Sequence, residues 1–155
     1  MNSTNTSESI KIKKLEGNET NAFVKKFIEL GLEEKLKQYG MNIAIQGELW
    51  GVGINGNWEG ISTVRFNVFD IYDIDNQTYL NCHERYHICD DLGLEHVPFT
   101  AGVPTIPKTI EHCLERAKIP SVYNKVAEGV VYKSETNPNF SFKIINNEYL
   151  LSGGE

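Results

Sequence analysis

One segment has the residue types and the spacing of a metal site, because His83-Glu-Arg-Tyr-His87 matches the pattern His-Glu-x-x-His. On a helix the two histidines lie one turn apart on one face, where they can share Zn²⁺ with Glu84 as the base of a hydrolase. A catalytic zinc needs a third protein ligand, and the candidates stand at no familiar spacing. Those candidates are His96, Glu111 and His112. The flanking sequence is polar, so a surface helix with chance histidines is the favoured interpretation, and a zinc-dependent hydrolase through His83, Glu84 and His87 is an alternative.

Four short apolar strands form a second set of candidates, since each carries a charged or aromatic group among β-branched neighbours. The strands lie within Asn42–Trp50, Phe66–Ile71, Glu128–Lys133 and Ser141–Asn146. Each has an ordinary interpretation when taken alone. A glutamate at a strand end usually faces water, a strand phenylalanine usually packs in the core, and a lysine between two apolar residues points to solvent.

The apolar periodicity and the turn residues along the chain predict the helices and strands that would position these groups. An α+β fold with an antiparallel sheet core and flanking helices accounts for their order. The predicted helices are Ala22–Gln38, Asn81–Leu92, Thr109–Ala117 and a closing turn at Asn146–Leu151. The predicted strands are Ile10–Lys14, Asn42–Trp50, Val64–Ile71, Thr78–Leu80, Glu95–Phe99, Glu128–Ser134 and Phe140–Ile145. Asp73–Gln77 is predicted to turn a hairpin, and Gly51–Gly60 to form a loop.

Composition narrows the class of protein. The 155 residues suit one domain, and 40% hydrophobic with 23% charged residues is typical of a soluble globular chain. The net charge of −6 argues against nucleic-acid binding by phosphate neutralisation alone. Apolar runs are too short to span a membrane, and we expect no membrane partner. The cysteines at 82, 89 and 113 are odd in number and form no Cys-x-x-Cys pair, which favours a reduced, cytoplasmic setting.

Taken in order, the four strands resemble the later nucleotidyltransferase motifs of ATP-dependent RNA ligases. The matching motifs are Gln-Gly-Glu-Leu ending at Leu49, Phe-Asp-Ile ending at Ile71, Glu-Gly-Val-Val-Tyr-Lys ending at Lys133 and Phe-Lys-Ile-Ile-Asn ending at Asn146. The closing Asn147-Glu-Tyr-Leu-Leu151 matches as well. The resemblance covers about Ile10–Leu151, and it implies part of the ATP-grasp-like nucleotidyltransferase domain of RNA and DNA ligases.

The resemblance implies a reaction and its cofactors. In this family a lysine attacks the α-phosphate of ATP, the AMP passes to an RNA 5′-phosphate, and a 3′-hydroxyl displaces it. ATP, Mg²⁺ or Mn²⁺, and RNA ends with a 5′-phosphate and a 3′-hydroxyl are therefore the implied cofactors and partners. Oxygen ligands suit those metals.

The resemblance also implies a role for each matched residue. Glu48 would contact the ribose or a metal-bound water, Glu128 would bind the metal, and Lys143 would contact phosphate. Phe69 would stack on the adenine, Asp70 would support the site, and Lys133 is a further phosphate candidate. Trp50 and the loop that follows it would lie near the entrance for RNA or ATP.

The sequence departs from the family pattern at its beginning. Lys14-Leu-Glu-Gly17 resembles the nucleophile motif Lys-x-Asp-Gly, but its acid is Glu and only about thirty residues separate it from Glu48. We interpret it as a solvated lysine cluster, and the arginine-bearing motif that should follow is missing. Residues 1–9 are predicted to be a flexible start. Residues 10–155 are predicted to be a partial RNA ligase domain, as a truncation, a degenerate gene or half of a split enzyme.

Two expectations follow from a missing nucleophile. Without that lysine no covalent adenylylation is expected, and a non-catalytic nucleotide- or RNA-binding remnant becomes an alternative to an RNA ligase domain. Strands left without partners are expected to favour a homodimer or pairing with a missing N-terminal segment.

Overall fold

A computed structural model describes residues 21–99 and 106–152. The chain divides into two compact units, residues 1–40 and 41–155. The predicted strand Ile10–Lys14, the motif Lys14–Gly17 and the predicted flexible start lie outside the described residues.

The first unit contains two short helices where the sequence predicts one. Helix α1 (Ala22–Glu29) begins at Asn21, whose side chain accepts a hydrogen bond from the backbone N–H of Phe23 at 2.8 Å. Helix α2 (Leu32–Tyr39) ends at Gly40. Gly31 separates them because it adopts a left-handed conformation with φ of +62°, which interrupts a helix and which glycine adopts easily. The predicted start and end are therefore confirmed, and the single uninterrupted helix is wrong.

The second unit is built on a four-stranded sheet and a two-stranded sheet. In the first sheet β2 (Val64–Asp73) pairs antiparallel with β1 (Ile43–Gly51) and with β3 (Thr78–Tyr79). Strand β4 (Glu95–His96) is shorter than the predicted Glu95–Phe99 and runs parallel to β2. The second sheet is the antiparallel pair β5 (Gly129–Lys133) and β6 (Ser141–Ile145). The predicted α+β class is confirmed.

Three helices complete the second unit, and each begins at a residue whose polar side chain caps the helix. Helix α3 (Cys82–Leu92) begins at Asn81 and ends at Gly93. Helix α4 (Ile110–Arg116) begins at Thr109, and α5 (Asn147–Leu151) begins at Asn146. The core of the unit joins the first sheet to α3. Its buried apolar side chains are Ile43, Leu49, Val68, Ile71, Leu80, Ile88, Cys89, Leu92 and Leu94.

The loop between β1 and β2 docks on the segment that precedes β5. The Trp58 indole N–H donates to the Val126 carbonyl at 3.0 Å, and its ring meets Tyr149 edge to face at 4.8 Å. The Asn124 amide donates to the Trp58 carbonyl at 2.6 Å. This loop therefore helps to fix the second sheet beside the first.

Candidate functional site

An irregularity in β2 presents two of the predicted site residues. Gln46 pairs with Asp70 but Gly47 pairs with Val68, so Phe69 is an extra residue in β2. Such a bulge re-aims side chains and is common beside functional sites. Because cross-strand partners share a face, the register places Asp70 on the same face of the sheet as Glu48. Phe69 leaves the regular ladder, and the residue is 37% exposed.

Lys133 connects the second sheet to this bulge. Its ammonium group donates to the Phe69 carbonyl at 2.9 Å and forms an ion pair with the Asp70 carboxylate. Its Nζ atom also lies 5.9 Å from the centroid of the Phe69 ring. Burial lowers the pKa of Lys133, and the bonded Asp70 opposes that shift. The structure thus brings together Phe69, Asp70 and Lys133, three of the residues to which the resemblance assigns a role.

The β5–β6 hairpin carries a second charged pair. Lys143 forms an ion pair with Glu128, the residue immediately before β5. Lys143 pairs across the hairpin with Val131, and Val131 and Lys133 are alternate residues of β5, so the two lysines share a face. Val131 is 51% exposed on that face. One side of the hairpin therefore offers two cations and an apolar surface.

Asn146 fixes the backbone that holds Glu128. The side chain of Asn146 is buried, its amide donates to the Ala127 carbonyl at 3.3 Å, and its backbone N–H donates to the Glu128 carbonyl at 2.8 Å. Asn146 also begins helix α5. Glu128 keeps a defined place at the strand end although its carboxylate is partly open to solvent.

Glu48 lies on the first sheet, opposite Asn67 of β2. Its side chain is exposed. Two residues further along β1, the Trp50 indole N–H donates to the Asn67 side chain at 2.6 Å. A polar contact between Trp50 and Asn67 therefore lies beside Glu48 on this face of the sheet.

The family model and the solved structures that match this chain are all of RNA ligases. The family model described as RNA ligase matches residues 4–145. Among solved structures, a point mutant of Naegleria gruberi RNA ligase with ATP and Mn is 36% identical with a TM-score of 0.74, and the match covers 81% of this chain. Another point mutant of the same ligase, with AMP and Mn, is 34% identical with a TM-score of 0.75 over 83% of this chain. The form with PPi is 35% identical with a TM-score of 0.72 over 81% of this chain.

The chain belongs to the RNA ligase family. It spans about 40% of the length of the Naegleria RNA ligase chains, since the matches cover 39%, 40% and 39% of them. A comparison with curated protein sequences gave no match.

Within this RNA ligase fold, sequence reasoning missed Arg85. Its side chain is buried and reaches from α3 to β2 and β4. The guanidinium donates to the Leu80 carbonyl at 2.7 Å, approaches the His96 ring at 3.4 Å and stands 3.7 Å from the Asp70 carboxylate. The helical spacing of Arg85 is the feature of the sequence that could have identified it as buried. Arg85 precedes the buried Ile88 and Cys89 by three and four residues, so it lies on the same inward face of α3.

A second group that the motifs did not indicate surrounds Trp50. The Arg65 guanidinium lies 5.6 Å from the centroids of both the Trp50 and the Tyr123 rings. Arg65 also pairs with Glu95, and that hydrogen bond raises its pKa. Trp50 is therefore held in an aromatic and cationic cluster, and its predicted place near the entrance for RNA or ATP stays a prediction.

A cavity of about 550 Å³ opens beside this cluster. Its lining includes Asn67, Tyr86, His96 and Phe99, and it contains none of the six predicted site residues. This cavity is therefore not formed by the residues that the RNA ligase resemblance assigns to the nucleotide.

The geometry of α3 disfavours the zinc hydrolase alternative. Glu84, the required base, closes a capping box by accepting from the backbone N–H of Asn81 at 2.8 Å. His83 and His87 are exposed. Nearby Cys89 is buried in the core, which raises its pKa to about 11, and it does not share the exposed face of the two histidines. Residues 21–99 and 106–152 contain no cluster of three side chains suited to a metal ion.

We expect the purified chain to retain no stoichiometric zinc. Elemental analysis after dialysis against zinc-containing buffer measures this. His87→Gln is expected to change neither the metal content nor the melting temperature, because the ring is exposed and tertiary contacts of this helix run through other residues. One zinc per chain that is lost in His87→Gln would restore the hydrolase alternative.

Across residues 21–99 and 106–152, no helix has the length and apolar composition that crossing a bilayer requires.

Proposed function

We propose that this chain forms the nucleotide-binding part of an ATP-dependent RNA ligase. The reaction it serves joins RNA 5′-phosphate and 3′-hydroxyl ends through a lysine–AMP adduct and an RNA adenylate. The observation that carries the proposal is Lys133, which links Phe69 and Asp70 of one sheet to the face of the hairpin that bears Lys143. A ribonucleotide needs an apolar platform and cations in that combination.

The proposed role of each residue depends on its exposure and on its contacts. Phe69 stacks on the adenine, and the exposed Val131 provides apolar surface beside the lysines. Lys143 contacts phosphate, and Lys133 and Asp70 hold the bulge that presents Phe69. Support comes from solved RNA ligases of this family, which contain ATP and Mn, AMP and Mn, or PPi.

The divalent metal would bind together with the nucleotide. Two carboxylates, Glu48 and Glu128, are the proposed protein ligands, and the described residues offer no cluster of three that forms a complete cage. Mg²⁺ and Mn²⁺ are commonly held by one or two carboxylates with phosphate oxygens and water as the other ligands. The donor set therefore fits either metal as a complex with ATP. The bound metal would supply charge stabilisation at the phosphates.

Nucleotide binding requires the Glu128–Lys143 ion pair to open. Both side chains are more than 40% exposed, so the pair contributes little to stability and separates at low cost. Once separated, Glu128 can turn to the metal and Lys143 to phosphate. The ion pair keeps both groups at the site in the absence of nucleotide.

The proposal extends to partners and setting. RNA ends are the substrates and RNA repair is the proposed role, and the net charge of −6 implies that contacts beyond phosphate neutralisation hold the RNA. Cys82, Cys89 and Cys113 are free thiols, which supports a reduced cytoplasmic setting. We also propose that the chain pairs with a second copy of itself or with a further N-terminal segment. The division into a flexible start, residues 1–9, and a partial RNA ligase domain, residues 10–155, is part of the proposal as well.

The test combines equilibrium ATP binding with a label-transfer assay. The chain is incubated with α-labelled ATP and Mn²⁺ or Mg²⁺ and resolved on a denaturing gel. Binding without a retained label supports a nucleotide site without a nucleophile. A label that disappears in Lys14→Met would identify Lys14 as the nucleophile and correct our interpretation of Lys14–Gly17. Absence of ATP binding would contradict the proposal.

Phe69→Ala is expected to raise the Kd for ATP about tenfold, because stacking of a base on an aromatic ring contributes about 1–3 kcal/mol. The Kd for inorganic triphosphate, which has no base, should stay within about twofold. Phe140→Ala is the matched control, since Phe140 is exposed and its ring lies 6.0 Å from the ring of Phe142, which is on the face opposite Lys143. Titration calorimetry measures all of these affinities. Equal losses for ATP and triphosphate would contradict the adenine assignment.

A further inference from the structure

Arg85 is a buried charge in a part of the molecule that the RNA ligase motifs do not include. Only 5% of the residue is exposed, although a charged side chain is rarely buried unless it is paired. Its strongest hydrogen bond is to the Leu80 carbonyl at 2.7 Å. That bond orients the guanidinium but leaves its charge without an anion, so the nearby Asp70 carboxylate becomes the relevant partner.

His96 fixes the other side of the guanidinium. The Nδ1 atom of His96 lies 2.6 Å from the Val97 carbonyl, which can only accept, so Nδ1 carries the proton. The Nε2 atom is then an acceptor, 3.4 Å from the Nε atom of Arg85. Burial lowers the pKa of His96, which keeps the ring neutral and suited to this contact. Arg85 is therefore held by β4 and by the Leu80 carbonyl.

Asp70 lies between two cations that come from different elements. Its Oδ2 atom is bound by Lys133 of β5, and its Oδ1 atom faces Arg85 of α3 at 3.7 Å. That separation is too long for a hydrogen bond but short enough for strong attraction in a partly buried setting. Oδ1 is buried and has no hydrogen-bond partner among the described residues. The Arg85 charge is the interaction that stabilises this oxygen.

The carboxylate between these cations follows Phe69 directly, and the Lys133 ammonium binds both Asp70 and the Phe69 carbonyl. We infer that Arg85 is a positioning residue that fixes Asp70, and through it the bulge that presents Phe69 to the base of the nucleotide. The inference rests on the proposed function for its effect on ATP. Its effect on the bulge itself is independent of any ligand.

The test uses Arg85→Gln, which keeps a planar donor for the Leu80 carbonyl and removes the charge. Two readouts separate positioning from a general structural role. Amide hydrogen exchange of the ligand-free chain is expected to become about tenfold faster at residues 67–71, with α3 unchanged. The Kd for ATP is expected to rise about tenfold, and the Kd for inorganic triphosphate to change less than about twofold. His87→Gln, an exposed change in the same helix, is the control.

Several outcomes would overturn the inference. Faster exchange confined to α3 and Leu80, with the bulge unchanged, would assign Arg85 to helix anchoring alone. Equal losses for ATP and triphosphate would also contradict it. If the unaltered chain does not bind ATP, the proposed function fails, but the exchange at residues 67–71 still tests the positioning.

A double substitution guards against a variant that does not fold. In an Asp70→Asn background, adding Arg85→Gln is expected to cause no further loss of ATP affinity and no further exchange, because Arg85 acts through Asp70. The double variant also leaves no Arg85 charge buried beside a neutral side chain. Lys133 loses its ion pair with residue 70 in the single and in the double variant alike, so that loss cancels in the comparison. A further loss of about tenfold in the double variant would show that Arg85 acts by another route.

Discussion

Glu128→Ala is expected to raise the Kd for ATP measured with Mn²⁺ about 30-fold. Loss of a bond to a charged group costs about 2 kcal/mol, which corresponds to that factor. Without divalent metal the same substitution should leave the Kd unchanged or lower it, because Lys143 loses its carboxylate partner and is free to bind phosphate. The effect of this substitution on the Kd for ATP therefore depends on whether divalent metal is present. A general loss of structure would not produce that dependence.

Titration calorimetry with Mn²⁺ and with a chelator gives the four Kd values. Glu115→Ala is the matched control, because Glu115 is also an exposed glutamate paired with a lysine, Lys118. The control should bind ATP as the unaltered chain does under both conditions. A Glu128→Ala protein that folds and binds ATP with unchanged affinity in Mn²⁺ would remove Glu128 from the proposed metal site.

Gly129→Ala is expected to lower the free energy of unfolding by about 3 kcal/mol, the upper part of the range for overpacked sites. A Cβ atom at Gly129 would lie 2.1 Å from the Ile144 carbonyl oxygen and 2.9 Å from the Ile145 Cα atom. Both are backbone atoms of β6, so no side-chain rotation relieves the contact. The hairpin must separate at the end that holds Glu128, and ATP affinity should fall with stability.

Gly53→Ala is the comparison that separates this steric effect from the cost of placing alanine at a residue with a positive φ. Gly53 has φ of +76° and no atom within 4 Å of an added Cβ, so the change should cost only about 1 kcal/mol. Urea unfolding followed by circular dichroism measures both variants. Equal losses in the two proteins would contradict close packing of β5 on β6 at Gly129.

Local sequence signals predicted most of the elements. Helices α3 and α4 match the predicted ranges Asn81–Leu92 and Thr109–Ala117 to within one residue at each end, because capping depends on residues within one turn. Apolar strands with turn residues between them gave β1, β2, β5 and β6 to within about two residues. The break at Gly31 was missed because an isolated glycine is compatible with a continuous helix pattern.

The site was predictable in its residue types but not in its pairings. The family resemblance pointed to Phe69, Asp70 and Lys133, which contact one another in the structure, yet the bulge at Phe69 depends on the register between β1 and β2. The parallel β4 and the buried Arg85 likewise depend on contacts between segments that are distant in sequence. No local pattern encodes such contacts, so they required the tertiary structure.

The intrinsic fluorescence of the two tryptophans of the chain can report the docking of the second sheet. Trp50 contacts Tyr123 at 5.4 Å, and Trp58 is bonded to Val126, so both indoles report on the segment that leads into β5. Separation of this segment from the first sheet would expose both rings to water and shift their emission to longer wavelength. Intrinsic fluorescence can therefore follow this docking without any attached dye, in the unaltered chain and in variants such as Gly129→Ala.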